Sequence, residues 1–360
     1  MKILLAIFLF LHGLIHLMGF AKAFQYGSIP QLKTEISKLT GIFWLIASFL
    51  FIGSGVLLLL SYNFWMFTTI PALMISQVLI FKSWSDAKYG ALANIIILIA
   101  LILCFGSYRF EKEYKNDVKV HLENSKNKVS ELLTEADLQT LPLPVQKYLR
   151  YSGVVNKPKV RNMKVVFEGE MREKGKDYFK FRSEQYNFID QPARLFFIKA
   201  EMFGITVPGY HKYTEAKASM DIELFGIFPI IQHSEAVMDT TETVTFFNEM
   251  CLLAPATLID KRIQWKVIDN KSVKATFLNK NIMISAQLFF NDNGQLINFI
   301  SNNRTEMNAG KTYPFSTPII SYKNHNGIYL MNDAEAVWQY PDGKFTYGKF
   351  HLKEIIYNYE

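Results

Sequence analysis

Two histidines are the first candidates for chemistry in this chain. His12 and His16 stand four apart within an apolar stretch, so on a helix they share one face. An ionisable pair inside a membrane-length segment is a functional candidate: it could relay protons or help to hold a metal or haem. A metal or haem would need further ligands. The other apolar stretches carry no His, Asp or Glu in their interiors, and Cys104 is the one additional candidate. The competing reading is structural, with both imidazoles hydrogen-bonded to hydroxyls of neighbouring segments, such as Ser48, Ser54, Thr68 or Thr69.

The remaining ionisable residues offer weaker constellations. His211, His233, His325 and His351 are scattered and form no HxxxH or HExxH, and no GxSxG, P-loop or GxGxxG occurs. Cys251 is a lone thiol in an apolar stretch, which favours an inert buried cysteine over a nucleophile. The densest polar set is Asn248, Glu249, Asp260 and Arg262. It reads two ways. Glu249 and Arg262 could pair and cap a helix at the mouth of a barrel. Alternatively Glu249, Asp260 and Arg262, with His211, could serve an enzyme acting on a membrane-derived substrate. No residue pattern demands a cofactor or a metal.

Large apolar side chains make the stronger lead. Phe196, Phe203, Phe225, Phe228 and Phe246 sit in the strings Leu195-Phe196-Phe197, Met202-Phe203, Leu224-Phe225-Gly226-Ile227-Phe228 and Phe246-Phe247, where polar alternation fails. A strand apolar on both faces needs cover on both. Such segments are either ordinary core beneath a helix or the wall of an apolar cavity that accepts an acyl chain. With Glu249 and Arg262 they form the candidate ligand-binding set.

These residues must be positioned by elements, and the sequence announces two kinds. Half of the 360 residues are apolar, 15% are aromatic and only 20% are charged, which excludes a disordered or fibrous chain. Two cysteines exclude a disulfide framework. Residues 3–20, 41–60, 64–81 and 89–108 are nearly or wholly uncharged. Each approaches the ~20 residues needed to cross ~30 Å of hydrocarbon. Four membrane helices are expected, flanked by Tyr26, Tyr62, Trp65, Trp84 and Tyr108 at interface depth. The net charge of +7 divides into +4 for residues 1–106 and +3 for the rest, with no basic concentration that would suit nucleic acid.

Lysines place the helices in the bilayer. Lys22, Lys33 and Lys38 lie in the first connection, Lys82 and Lys88 in the third, and none in the second. The positive-inside rule puts the first and third connections in the cytoplasm, so both termini face outward. Arg109, Lys112, Lys115 and Lys119 close to the last span pull the other way. The N-terminal stretch ending in Ala21-Lys22-Ala23 has features of a signal peptide, but its length and its two histidines favour a retained helix.

Residues 109–137 are polar and read as a helical linker. In the 141–155 string the prolines open a short helix and Gly153 closes it, with Val145, Tyr148 and Leu149 on its buried face. From Val160 the apolar period changes to two, and turn signals such as Asp190-Gln191-Pro192, Asn291-Asp292-Asn293-Gly294 and Pro341-Asp342-Gly343 separate the runs. The pattern predicts an antiparallel meander of about ten strands, interrupted by a helix near residues 246–259. A sheet of that width curls.

The string Leu141-Pro142-Leu143-Pro144-Val145-Gln146-Lys147-Tyr148-Leu149-Arg150-Tyr151-Ser152-Gly153-Val154-Val155 resembles the L-P-x-P-V-x-x-Y-L-x-Y-x-G-V-V signature of an uncharacterised bacterial family of membrane-attached proteins. Phe246-Phe247-Asn248-Glu249-Met250, the 258–265 string and the ending from Trp338 to Asn358 extend the resemblance over most of residues 138–358. The family has no established activity. Its soluble part is similar in pattern to the half-barrel of lipoprotein carriers such as LolA, which implies a curved sheet holding acyl chains beneath helices.

The expected architecture is thus a four-helix transmembrane domain (1–108), a linker (109–137) and an antiparallel β half-barrel with covering helices (138–360). The expected function is non-enzymatic: a multi-pass protein of the bacterial inner membrane whose extracytoplasmic half-barrel binds a lipid or another hydrophobic envelope molecule. An enzyme and an interaction module for another envelope protein are the alternatives. The bilayer and the hydrophobic ligand are the expected partners.

Overall fold

Uncharged stretches of this length satisfy their backbone internally, and they do so as helices. The structure, a computed structural model, describes residues 2–125, 131–202, 204–307 and 309–360. Helices α1 (Lys2–Ala23), α2 (Lys38–Leu59), α3 (Trp65–Lys82) and α5 (Tyr89–Ser125) are long and apolar enough to cross a membrane, and a single-turn helix α4 (Trp84–Ala87) precedes the last. The chain divides into two compact units, Met1–Phe110 and Glu111–Glu360, so the division falls inside α5.

In the first unit small residues allow close helix approach. A Cβ on Gly19 would lie 2.2 Å from the Trp44 ring, so the bare glycine lets the indole seat against α1. Leu9, Phe51, Met66 and Ile97 fill the centre. Asp86 ties the first and third connections together: one of its oxygens accepts from the backbone N–H of Lys33 and of Thr34, each at 2.7 Å.

In the second unit a short helix α6 (Glu135–Leu138) precedes α7 (Leu143–Ser152). Helix α7 starts on prolines and ends at Gly153, whose φ of 71° is the left-handed cap that glycine adopts without strain. It buries Val145, Tyr148 and Leu149. Six strands then run as a meander: β1 (Asn162–Met171), β2 (Phe179–Phe188), β3 (Ala193–Met202), β4 (Ile205–Thr214), β5 (Lys217–Leu224) and β6 (Phe228–His233). Helix α8 (Ala236–Leu253) and a 3-10 turn (Pro255–Ile259) follow. Then come β7 (Ile263–Asp269), β8 (Ser272–Asn279), β9 (Ile282–Phe290) and β10 (Leu296–Ser301). The short β11 (Thr305–Glu306), β12 (Lys311–Thr312) and β13 (Phe315–Ser316) lead to β14 (Ile319–His325), β15 (Ile328–Tyr340) and β16 (Gly343–Tyr357).

Fourteen strands form one antiparallel sheet in the order β6-β5-β4-β3-β2-β1-β16-β15-β13-β10-β9-β8-β7, with β14 added on β15, while β11 and β12 pair separately. The sheet is wider than the ten strands that alternation predicts. The additional strands have little alternation: β6 holds Pro229 at an edge, and β14 reads Ile-Ile-Ser-Tyr-Lys-Asn-His.

The order explains the curvature. Strands β6 and β7 are consecutive in the chain yet occupy opposite edges of the sheet. The connection must cross it, and α8, 18 residues and ~27 Å long, does so. This helix touches β4 and β5 on one arm, β15 at the centre, and β9 and β10 on the other arm. A flat sheet could not reach one helix from both arms, so the sheet wraps α8 as an unclosed half-barrel. Bulges at Val166/Phe167 and Ala336/Val337, on the two sides of β16, bend its middle.

Strand β3 shows how an all-apolar strand finds two covers. Phe197 stacks on Tyr114 of α5 with ring centroids 5.1 Å apart, on the outer face of the sheet. Tyr114 donates to the Glu184 carbonyl at 3.2 Å, and Asp117 accepts from the Tyr210 hydroxyl and the Lys212 ammonium, each at 2.8 Å. Phe196 and Ile198, of opposite parity, face inward.

Candidate functional site

The inner face of the half-barrel and α8 enclose a cavity of about 730 Å³. That volume lies within the ~300–1,000 Å³ typical of small-molecule sites. Alternate residues of β3 (Phe196, Ile198, Ala200, Met202) and of β4 (Val207, Gly209, His211) supply one wall. Met220 and Ile222 of β5 extend it, and Leu252 and Leu253 of α8 contribute from above. Along β3 the wall runs ~20 Å from Phe196 to Met202.

The two ends of this wall differ. Antiparallel pairing brings the end of β3, the β1–β2 turn and the β15–β16 turn to one end of the first arm. There the rim is exposed: the Lys174 and Asp342 side chains pair across the two turns while 54% and 67% accessible. At the opposite end, where Asn187 faces Arg194 across β2 and β3, the wall is polar and buried.

That buried end is a charged network. The Arg194 Nε lies 2.9 Å from both oxygens of Glu249, and its Nη1 donates to Glu242 at 3.1 Å. Asn187 and Gln185 donate to the same Glu249 oxygen at 2.7 and 3.0 Å. Arg194 is only 5% exposed and its guanidinium stacks 4.5 Å from the Phe196 ring. Burial would lower its pKa, but the Glu249 and Glu242 carboxylates outweigh that and raise it. His211, on the same wall, is pushed down to about 3 by burial and by the Arg194 and Arg304 charges, so it is neutral at physiological pH. Burial pushes the Cys251 thiol far up, which leaves no thiolate for nucleophilic work.

Residues 131–350 match a family described as one of unknown function, DUF6544. The chain belongs to this family. No curated protein matches the chain. Among solved structures it is similar to a putative outer membrane lipoprotein-sorting protein domain from Vibrio parahaemolyticus. The identity is 7% and the TM-score 0.36, over 55% of this chain and 85% of that one. It is also similar to a LolA superfamily protein from Nitrosomonas europaea, at 8% identity and a TM-score of 0.34, over 61% of this chain and 96% of that one.

The candidate residues do not gather at one place. Phe196 and Glu249 line the cavity. Phe246 is fully buried in the core, with ring centroids 6.0 Å from Tyr213 and 6.2 Å from Phe277. Phe225 occupies the β5–β6 turn with a φ of 57°, and Phe228 begins β6 and is 55% exposed. Phe203 lies outside the described residues.

The pairing of Glu249 with Arg262 does not form. Arg262 binds Asp260 and donates to the Ile189 carbonyl at 2.7 Å, outside the cavity lining, while Arg194 takes both Glu249 oxygens. Sequence proximity favoured Arg262, but strand pairing delivers Arg194 from 55 positions away. Arg194, Glu242, Arg304 and Arg172 were all missed by sequence reasoning. The available signal was weak: Arg194 is a charged residue at the head of an otherwise apolar strand, Ala-Arg-Leu-Phe-Phe-Ile.

In the membrane unit His12 and His16 join a network with Ser76 and Asn94 rather than with Ser48, Ser54, Thr68 or Thr69. The Nε2 atoms of His12 and His16 lie 2.9 Å from Asn94 Oδ1 and Ser76 Oγ respectively. His16 Nδ1 faces the His12 carbonyl at 2.9 Å, so it must donate. In the neutral ring its Nε2 then accepts the Ser76 proton. Asn94 donates onward to Gln77 at 3.0 Å. Among the described residues, no group of three or more His, Cys, Asp or Glu is placed to hold a metal.

Proposed function

We propose that this protein is a membrane-anchored binder whose half-barrel holds a lipid or another hydrophobic envelope molecule, without catalysing a reaction. One observation carries the reading: a largely apolar cavity of about 730 Å³, open at an exposed rim, lies between the inner face of the sheet and α8. Phe196, Ile198, Ala200 and Met202 of β3 face it. Burial of apolar surface there supplies affinity at ~25 cal/mol per Å². Anchoring by four apolar helices keeps the half-barrel at high local concentration over a lipid source. The polar groups of the cavity favour binding over proton transfer, because Glu249 is fully occupied by Arg194, Asn187 and Gln185.

The test uses the full chain in phosphatidylcholine nanodiscs with a photoreactive long-chain lipid. Label is expected in peptides of β3, β4 and α8 as well as in the membrane helices, which serve as internal standard. Met202→Asp, at the half-exposed rim, should lower cavity label several-fold and leave helix label unchanged. Label confined to residues 2–110 would end this reading.

The side of the membrane is part of the proposal. The lysine-bearing connections, tied together by Asp86, face the cytoplasm, and the half-barrel lies outside. A cysteine placed at the exposed Lys353 should react with an impermeant maleimide in intact spheroplasts. Reaction only after lysis would reverse the topology.

A further inference from the structure

The cavity carries two arginines that the buried network does not use. Arg304 and Arg172 both line it. Among the described residues neither makes an ion pair with a carboxylate. The Arg304 guanidinium lies 4.1 Å from the Phe315 ring centroid, 5.5 Å from Trp338 and 5.9 Å from Tyr347. Its Nε is buried and has no hydrogen-bond partner among the described residues. The Nε is closed off from the cavity, so a ligand oxyanion would meet the outer Nη edge of the guanidinium, which makes no ion pair among the described residues. Arg172 stacks 4.4 Å from Tyr178 and 5.0 Å from Phe345, and its Nε donates to the Thr346 carbonyl at 3.1 Å. Phe315, Trp338, Phe345 and Tyr347 belong to one aromatic cluster, so both guanidiniums rest on the same patch.

The acids around this end are engaged elsewhere. Asp342 pairs with Lys174, Glu173 pairs with Lys176, and Glu306 accepts from the Ala309 N–H at 2.7 Å. At the far end Glu242 and Glu249 are taken by Arg194. The cavity is therefore polarised, with a buried network of one guanidinium and two carboxylates at one end and guanidiniums without a carboxylate partner on aromatic rings toward the rim. Aromatic stacking holds a guanidinium flat while leaving its edge free for bidentate contact with an oxyanion.

We propose that the cavity selects amphiphiles with an acidic oxyanion head, a carboxylate or a phosphate, which Arg304 and Arg172 hold near the rim while the tail lies inward along β3 and β4. This rests on the reading of the cavity as a hydrophobic-ligand site and names the class of ligand. An uncharged lipid would leave both guanidinium charges without a counter-ion. A water-soluble anion alone would leave the Phe196–Met202 wall uncovered.

The test compares a photoreactive long-chain fatty acid with its matching fatty alcohol on the full chain in phosphatidylcholine nanodiscs. The acid should label β3 and β4 peptides roughly tenfold more than the alcohol, the effect of one charge-assisted contact. Arg304→Met should bring acid label down to the alcohol level without changing alcohol label, and Arg304→Lys should restore part of the preference. Equal labelling of the wild-type cavity by acid and alcohol would overturn the headgroup assignment while leaving the apolar site intact, and this comparison needs no variant to fold. Absence of cavity label from both probes would remove the apolar site and the headgroup assignment together. Competition by phosphatidylglycerol would assign the head to a bilayer phospholipid, and competition by unlabelled fatty acid alone would assign it to a single-chain acid. Both outcomes support the proposal.

Discussion

Each unit of this protein buries a polar network, and the two networks obey different rules. The one among the membrane helices is formally neutral: two imidazoles, a hydroxyl and two carboxamides joined by contacts of 2.9 to 3.1 Å. The one in the half-barrel is charged, with one guanidinium against two carboxylates. Where the surroundings are hydrocarbon, small neutral groups satisfy one another, and the loss of any one leaves partners that can find alternatives. Where the surroundings are packed protein, Arg194 is the only cation bonded to Glu242 and Glu249 among the described residues. The neutral network shapes helix packing. The charged one fixes how α8 sits on β2 and β3 and so fixes the roof of the cavity.

Removing the cation should have the largest effect. Arg194→Met leaves two buried carboxylates facing each other and should cost about 3–5 kcal/mol. Thermal unfolding of the full chain, followed by near-ultraviolet circular dichroism, should show the half-barrel melting far earlier. Adding Glu242→Gln and Glu249→Gln should recover much of the loss. A single-variant cost below about 1 kcal/mol would mean that the network is not what seats α8.

A pH titration sharpens the comparison. The folded pKa of His211 is depressed to about 3 from an ordinary 6.5, by burial and then by Arg194 and Arg304. Below pH 6.5 the unfolded chain binds a proton that the folded chain refuses, so stability falls as pH falls and is complete only above that value. The His211 contribution should approach ~1.4 kcal/mol per pH unit within that window. The difference between wild type and His211→Gln, measured as stability against pH from 7 to 4.5, isolates it from the carboxylates. Parallel profiles would show that His211 is not depressed in the folded chain, by burial or by the two arginines.

The smallest effect is expected in the membrane. Asn94→Ala removes the acceptor of the His12 Nε2 proton and the donor to Gln77. Its cost should be about 0.6 kcal/mol, at most ~1.7, in detergent-induced unfolding. A cost near that of Arg194→Met would erase the contrast between the units and point to a role for the histidines beyond packing.

Much of the architecture was written locally. The four spans, the short helix ended by Gly153 and the change of period after Val160 follow from hydropathy, turn chemistry and alternation. Helix α8 shows where local reading stops. Its Asp-Thr-Thr-Glu-Thr-Val-Thr opening is poor in helix propensity, so the sequence suggested a helix only from about Phe246, while the structure starts it at Ala236. Burial of Met238, Val244 and Phe247 on the sheet outweighs that preference. The all-apolar strands posed a choice between core and cavity, and β3 takes both, with Phe197 under α5 and Phe196 in the cavity.

What the sequence determined by itself is what depends on neighbours along the chain: helices from unbroken hydropathy, strands from period-two alternation, turns from Gly, Pro and Asn. It also determined that apolar side chains exceed what one face of a meander can cover. Only the tertiary structure decided which residues meet. Sheet order sends β6 and β7 to opposite edges, α8 must cross between them, and that crossing sets Arg194 against Glu249 and leaves Arg304 on its aromatic rings. Sheet order is a long-range outcome of whole-sheet packing, and no local pattern encodes it.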